Sequence, residues 1–199
     1  MTARAILAAV VVAAAAAATA AQAQAQTTPA PAPQVRVVNG CHLWPYAQCP
    51  GADLRDADLV GLDLRGADFT GANLAGAHLR AANMAGARLD GADLSGVEGY
   101  ALNAPGVSMR GARLVQARFV QARFFRADLS ETDCSGASFE AARLNLTQFV
   151  GARIVGANLQ EAKFVAANLQ KAVFQDNLLR YTIFPDAEMG GCQGCPEGW

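Results

Sequence analysis

The sequence predicts an all-β solenoid, in which short extended segments wind around a narrow core. Of the 199 residues 52% are apolar but only 7% are aromatic, and alanine and glycine are abundant. A five-residue pattern also runs from residue 51 to residue 184 without an insertion or deletion. A fixed short period of this kind indicates stacked repeats. The chain is therefore expected to pack through small residues brought close together.

The first 25 residues have the order of a secretory signal peptide. One positive charge, Arg4, precedes an uncharged apolar run over residues 5–21, and an Ala-x-Ala pattern follows. Cleavage after Ala23 and cleavage after Ala25 fit this pattern equally well. The alternative is a membrane anchor, but a run of about 17 residues is at the lower edge of what spans a bilayer. We therefore predict removal of residues 1–25 and no membrane span afterwards.

Residues 26–40 are predicted to form a linker rich in proline and alanine. The tract TTPAPAP within it alternates proline with alanine, which favours extended polyproline conformation and cannot bury a core. The signal peptide and this spacer together predict an exported protein, either periplasmic or secreted.

Large apolar residues recur at every fifth position from Leu54 to Phe184. Of these 27 positions, which we call centres, 24 are Leu, Phe, Met or Ile, and the exceptions are Gly99, Ala104 and Cys134. Alanine lies two residues before the centre in 19 cases, and glycine lies two residues after it in 12. Most pentapeptides thus have one small and one large apolar position.

Neither a continuous helix nor a continuous strand explains this period. On a helix, a step of five residues rotates the centre by about 140°, which distributes the centres over every face. On a strand, an odd step sends successive centres to opposite faces. In a short extended segment, however, the small position and the centre point the same way, and the polar residues and glycines that follow favour a turn. Each pentapeptide is therefore predicted to form one inward-facing side of a coil.

The runs GADFTGANLA at residues 66–75 and GADLSG at residues 91–96 resemble the A-(D/N)-L-x-x signature of pentapeptide repeat proteins. The resemblance implies a right-handed quadrilateral parallel β-helix over residues 51–185, with four pentapeptides per coil, about 27 repeats and roughly seven coils. Opposite charges recur at separations of both 20 and 15 residues, so charge pairing does not decide the size of the coil.

The repeat is irregular between residues 97 and 105. The two centres in this stretch, Gly99 and Ala104, are small, and Pro105 cannot donate a hydrogen bond to a ladder. We expect Tyr100 or Leu102 to turn inward and fill the space. The alternative is a binding notch at this place in the rod.

Two pairs of cysteines flank the repeats, one in a predicted N-terminal cap (residues 41–50) and one in a predicted C-terminal cap or tail (residues 186–199). Paired thiols that follow a secretory signal are usually disulfides. The ends of the rod are about 32 Å apart, whereas a disulfide needs Cα atoms within about 7 Å, so only local pairs can form in one monomer. The local pairs are Cys41 with Cys49 and Cys192 with Cys195.

Redox and zinc chemistry are disfavoured for these cysteines. A Cys-x-x-Cys redox centre needs a helix N-terminus to lower the pKa of its first thiol, whereas residues 192–195 lie in a glycine-rich tail. Zinc needs four ligands near one another, and Cys41, His42 and Cys49 supply three at most. The fifth cysteine, Cys134, occupies a centre and is predicted to be buried as a small hydrophobic residue.

The sequence offers no specific catalytic constellation. The chain has only two histidines, His42 and His78. In coils of four pentapeptides, Asp58, His78 and Glu98 would stack on one face and could bind a metal weakly, but such a ladder is more often simply solvated. We therefore predict a non-enzymatic protein without a metal or a cofactor.

The charge distribution gives the one functional hint. Residues 51–100 carry 4 basic and 8 acidic side chains, whereas residues 101–180 carry 10 basic and 6 acidic ones. In the basic half, Arg123, Arg143 and Lys163 would stack on one face, where like charges destabilise a sheet and an anionic partner would relieve them. The alternative is neutralisation by nearby carboxylates. These are Asp128, Glu131 and Glu140.

The predicted function is an exported scaffold that binds a protein or an anionic envelope component, with the ligand and the oligomeric state left open. Some pentapeptide repeat proteins resemble B-form DNA and inhibit DNA gyrase, which is the alternative that the resemblance implies. That role needs a strongly acidic rod in the cytoplasm, whereas residues 51–180 have a net charge of zero and follow a predicted export signal. The net charge of −1 for the whole chain gives no bulk attraction to nucleic acid, so none is expected as a partner.

Overall fold

The computed structural model describes residues 36–196. The predicted signal peptide (1–25), most of the predicted linker (26–40) and residues 197–199 lie outside this range. Within it, the secondary structure consists of four short strands and a long series of isolated β-bridges, with no helix.

The described chain begins with a β-hairpin. β1 (Arg36–Val38) pairs in antiparallel fashion with β2 (Cys41–Leu43). The turn residues between them, Asn39 and Gly40, have φ angles of 48° and 80°, and two successive positive φ values define a type I′ turn. The structure thus extends the N-terminal cap back to Arg36, into the range that the sequence analysis assigned to the linker.

Each pentapeptide ends in a four-residue turn that, unlike the hairpin turn, has a single residue with a positive φ. In the turn after Leu54, the Ala57 N–H donates to the Leu54 carbonyl at 3.2 Å, and Asp56 between them has a φ of 53°. A positive φ recurs at every fifth residue from Tyr46 to Gly191. Glycine adopts this conformation without steric cost, which explains why it is frequent two residues after the centre.

Parallel β-bridges join residues that are twenty positions apart, from Gln48↔Asp68 to Val173↔Gln193. Two sections of this ladder form strands, β3 (Arg153–Val155) and β4 (Val173–Gln175), which pair in parallel. Every parallel bridge therefore joins residues that are four pentapeptides apart along the chain. The result is a parallel β-helix.

The small positions and the centres line the interior of this β-helix. Nearly all of them are buried, which confirms the predicted inward positions. In the C-terminal half, phenylalanine rings contact one another between coils. The ring centroids of Phe119 and Phe139 are 5.6 Å apart, and those of Phe164 and Phe184 are 4.8 Å apart. Cys134 is also buried as predicted, and burial raises the pKa of its thiol to about 12.

Two side chains, Leu102 and Phe119, fill the interior of the irregular repeats at residues 97–105. Leu102 points inward and is fully buried, whereas Tyr100 points outward with 47% exposure. A Cβ atom on Gly99 would lie 2.5 Å from Cδ1 of Phe119, which is one coil further along. The Phe119 ring therefore occupies the space that a larger side chain at residue 99 would need.

The β-bridges also continue beyond the predicted end of the repeats at residue 185. Gln193 pairs with Val173, and Met189 packs against the core. The ladder therefore reaches into the range predicted as a C-terminal cap or tail (186–199). Phe184 is buried near this end, while Trp199 lies outside the described residues.

Disulfides join Cys41 to Cys49 and Cys192 to Cys195, which are the two local pairs expected from the sequence. The first bond ties β2 to the first bridged pentapeptide, and its two cysteines are buried. The second lies at the far end of the ladder, where both cysteines are only partly buried.

Removal of the N-terminal disulfide is expected to destabilise the protein by about 2 to 3 kcal/mol, because the bond closes a loop with a sequence separation of 8. The measurement is urea unfolding of the double variant Cys41→Ala/Cys49→Ala, followed by circular dichroism. The matched variant Cys192→Ala/Cys195→Ala opens a loop with a separation of only 3 and should lose less. Equal losses in both variants would contradict this explanation.

Candidate functional site

Three cations lie in line on one outer face of the β-helix. Parallel bridges pair Arg123 with Arg143 and Arg143 with Lys163, and all three residues are exposed. Each comes from the outward position directly before a buried centre, so the backbone ladder fixes their alignment. We call Arg123, Arg143 and Lys163 the cationic row.

The cationic row forms one side of an open groove with a volume of about 590 Å³. Corner residues from the same coils form the other side. The groove ends at Tyr181 and Ile183, which occupy the equivalent positions of the next coil. The corner residues are Gln121, Ala141 and Glu161.

Among the described residues, no carboxylate forms an ion pair with the cationic row. Of the six ion pairs within residues 36–196, none involves Arg123, Arg143 or Lys163. Two of the carboxylates considered for neutralisation have other partners. Asp128 pairs with Arg110 at 3.2 Å, and Glu140 accepts a hydrogen bond from Asn158 at 3.0 Å.

The same face is differently built nearer the N-terminus. There the outward positions are Asp63, Asn83 and Asn103, which are joined by side-chain hydrogen bonds. Asn83 donates to Asp63 at 3.1 Å, and Asn103 donates to Asn83 at 2.9 Å. Along this face, the outward side chains thus change from a hydrogen-bonded ladder to a row of like charges. The change occurs between Asn103 and Arg123, which are paired by a β-bridge.

Several carboxylates in the acidic half of the rod form ion pairs with nearby arginines. Arg55 forms a side-chain pair with Asp53 at 2.6 Å, and Arg65 pairs with Asp63 in the same way. Hydrogen bonding from Arg55 lowers the pKa of the Asp53 carboxyl to about 2. These carboxylates are therefore ionised and matched at neutral pH, in contrast to the cationic row.

Another face of the β-helix, two pentapeptides away along the chain, shows alternating charge. Bridges place Arg113 against Asp133 and Asp133 against Arg153, so each cation has a carboxylate between it and the next. This face provides an internal reference for the cationic row, since it has the same backbone but alternating charges.

The other predicted side chains form ordinary surface contacts. Asp58, His78 and Glu98 are stacked by bridges, as expected. His78 Nδ1 lies 3.2 Å from Glu98 Oε2, and Asp58 pairs with Arg36 at 3.0 Å. Between residues 36 and 196, no group of three or more His, Cys, Asp or Glu side chains is placed to hold a metal ion.

The Cys-x-x-Cys motif lies in the last turns of the ladder, with Gly194 at a φ of 75°. No helix begins beside it in the described part of the chain. The helix N-terminus that would lower the pKa of a redox-active thiol is therefore missing from the described surroundings of this motif.

A second groove, of about 580 Å³, lies at Tyr100 and was not predicted in this form. The Tyr100 hydroxyl donates to Gln121 Oε1 at 2.9 Å, and the walls carry both Arg118 and Glu98. The sequence signal for this groove was the small centre at Gly99. This residue is the reason that a binding notch was considered as the alternative for residues 97–105. The charges of the groove are mixed, whereas the cationic row carries three like charges.

Comparison with known families identifies the repeat. The family described as pentapeptide repeats matches the chain in 8 copies, over residues 44–71, 63–98, 106–133, 122–160 and 157–192. The chain belongs to the pentapeptide repeat family. The matched residues begin and end close to the first and last β-bridges, at Gln48 and Gln193. A comparison with curated proteins gives no match.

Solved structures similar to this pentapeptide repeat protein belong to the same family. HetL, involved in heterocyst differentiation regulation in the cyanobacterium Nostoc sp. strain PCC 7120, is 22% identical with a TM-score of 0.31, covering 73% of this chain and 89% of HetL. Trypsin-treated QnrB1, a plasmid-mediated fluoroquinolone resistance protein, is 18% identical with a TM-score of 0.41, covering 73% of this chain and 84% of QnrB1. A thylakoid lumen protein from Arabidopsis thaliana is 19% identical with a TM-score of 0.20, covering 70% of this chain and 63% of its own.

A search for helices of sufficient length and hydrophobicity to cross a bilayer finds none between residues 36 and 196.

Proposed function

We propose that this pentapeptide repeat protein is an exported, non-enzymatic scaffold that binds an anionic envelope component through the cationic row. The observation that carries the proposal is the absence of any ion pair to Arg123, Arg143 or Lys163 within residues 36–196, although the three lie one coil apart. Like charges directly opposite one another destabilise a sheet. A bound anion would relieve that repulsion.

Export is supported by the order of charge and hydrophobicity in residues 1–25 and by the two disulfides, since disulfides persist in oxidising compartments. A non-enzymatic role is supported by the surroundings of the side chains that could act in catalysis. His78 pairs with Glu98, and the Cys134 thiol is buried with a raised pKa.

The rod that presents the row is proposed to be a right-handed β-helix with four-sided coils. Its body is formed by the 27 pentapeptides counted between Leu54 and Phe184. The twenty-residue spacing of the bridges and the positive φ at every fifth residue support this geometry.

Mimicry of DNA is disfavoured as the function. A protein that imitates the DNA surface needs a continuous negative potential, because that surface carries regularly spaced phosphates. Here the acidic half pairs Asp53 and Asp63 with arginines, and the other half presents the cationic row.

Charge reversal in the cationic row is expected to abolish binding of a polyanion. The double variant Arg123→Glu/Arg143→Glu should bind immobilised dextran sulfate roughly tenfold or more weakly than the parent, because truncating or reversing a contacting charge removes a favourable pair and adds repulsion. Binding by the parent should also weaken with added salt, since exposed charges are screened over about 8 to 10 Å at moderate ionic strength.

The matched control is Arg113→Glu/Arg153→Glu, which makes the same change in net charge on the face where Asp133 lies between the cations. It should retain most of the binding. Circular dichroism should show an unchanged fold for both variants, because all four side chains point outward. Equal loss in the two variants would indicate attraction by net charge alone and would overturn the proposed site.

A further inference from the structure

The groove over the cationic row is elongated along the direction in which the coils stack. Its three cations come from three successive coils, and paired strands are about 4.8 Å apart. The backbone positions of the first and third cations are therefore about 10 Å apart. A compact anion reaches one or two of these charges, whereas a linear polyanion aligned with the rod reaches all three.

An aromatic ring continues the line of the groove beyond the last cation. Tyr181 is 67% exposed and Ile183 is 40% exposed. The guanidinium carbon of Arg180 lies 4.8 Å from the centre of the Tyr181 ring, and Arg180 Nη2 is 3.1 Å from the Tyr181 hydroxyl oxygen. The ring is thus held in place on one side while much of its surface remains open. It offers a flat apolar platform to a ring of the ligand.

The corner side of the groove carries polar groups suited to hydroxyls. Glu161 is the one carboxylate among the groove residues, and Gln121 contributes an amide. A carboxylate accepts hydrogen bonds and donates none. Glu161 therefore accepts hydrogen bonds from a ligand that is rich in hydroxyl groups.

Single-stranded nucleic acid fits this arrangement less well. Proteins that bind it stack successive bases on several aromatic side chains along a basic groove. This groove is lined by one aromatic ring, Tyr181, at its end.

We infer that the groove binds a linear acidic polysaccharide aligned with the rod, with its carboxylates on the cationic row and a sugar ring on Tyr181. This inference rests on the proposed function, because it names the class of anion that the cationic row binds. In a chain of uronic acid units, each sugar supplies one carboxylate, hydroxyl groups for Glu161 and Gln121, and an apolar ring face for Tyr181.

The test is calorimetric titration of the purified protein with galacturonate oligomers of one to six units. Affinity is expected to rise with each added unit until the oligomer covers the row and Tyr181, and then to level off. Inorganic phosphate and monomeric galacturonate should bind far more weakly. Tyr181→Ala should weaken binding of the hexamer several-fold, whereas Tyr46→Ala, which removes an equally exposed tyrosine near the N-terminal end of the β-helix, should leave it unchanged.

The outcomes separate the inference from the proposal on which it rests. Affinity that does not depend on oligomer length, or equal effects of Tyr181→Ala and Tyr46→Ala, would overturn the inference that the ligand is a polysaccharide. Tighter binding of an oligothymidylate with the same number of charges would indicate that the groove binds single-stranded nucleic acid and not a polysaccharide. If Arg123→Glu/Arg143→Glu binds every anion as the parent does, the cationic row is not the site and the proposed function fails with it.

Discussion

Leu144→Asp is expected to unfold the coils around residue 144, with a loss of more than about 4 kcal/mol in the free energy of unfolding. Leu144 is a fully buried centre, so the new carboxylate would have neither water nor a partner. Each coil packs only on its neighbours, as in other solenoids, and the damage should spread to the adjacent coils. Thermal and urea unfolding followed by circular dichroism measure the loss.

Arg143→Asp, one residue earlier, is the matched control. Arg143 points outward between Arg123 and Lys163, so a carboxylate there replaces like-charge repulsion with attraction. Its unfolding midpoint should remain at or slightly above that of the parent. If the two variants lose the same stability, the assignment of inward and outward positions is incorrect.

Phe139→Ala is expected to cost about 3 to 5 kcal/mol, which is the usual range for removal of a buried phenylalanine. The Phe139 ring contacts those of Phe119, Phe124 and Phe149 at centroid distances of 5.6, 6.0 and 6.3 Å. Its removal therefore leaves a cavity that a ladder with fixed spacing cannot close. Urea unfolding at equilibrium measures the difference.

The same substitution at Phe125 provides the reference. Phe125 is 44% exposed at a corner, where its ring contacts the Arg126 guanidinium at 5.1 Å. Phe125→Ala should cost clearly less than Phe139→Ala, because the residue is already 44% exposed and its removal leaves no enclosed cavity. A loss at Phe125 comparable to that at Phe139 would mean that the aromatic contacts between coils are not what stabilises this half of the rod.

The sequence predicts the interior of this protein well because the inward pattern is local. An alanine two residues before a large centre, followed by a turn, determines which side chains face the core in every pentapeptide. The filling of the space at Gly99 by the Phe119 ring was harder to predict. The Phe119 ring that fills its space lies twenty residues away, and nothing in the local pattern says which ring tilts toward the gap.

The N-terminal hairpin, by contrast, had a readable signal. Asn39 followed by Gly40 is the preferred pair for a two-residue hairpin turn, but the proline-rich tract before it led to the assignment of the whole segment as linker. The sequence had no such signal for the unpaired state of the cationic row. Asp128 and Glu140 do not neutralise the row because their side-chain rotamers pair them with Arg110 and Asn158, and rotamers cannot be predicted from the repeat pattern.

The twenty-residue spacing of the bridges makes the surface more sensitive than the core to changes in chain length. Deletion of one pentapeptide between Arg123 and Arg143 would keep every alanine and centre pointing inward, because all pentapeptides obey the same rule. All later residues would nevertheless move round the rod by one side, and Arg143 would align with Arg118 instead of Arg123. Only insertions or deletions of a whole coil preserve a row of side chains, so the outer face, and not the packing, limits how such a rod can lengthen or shorten.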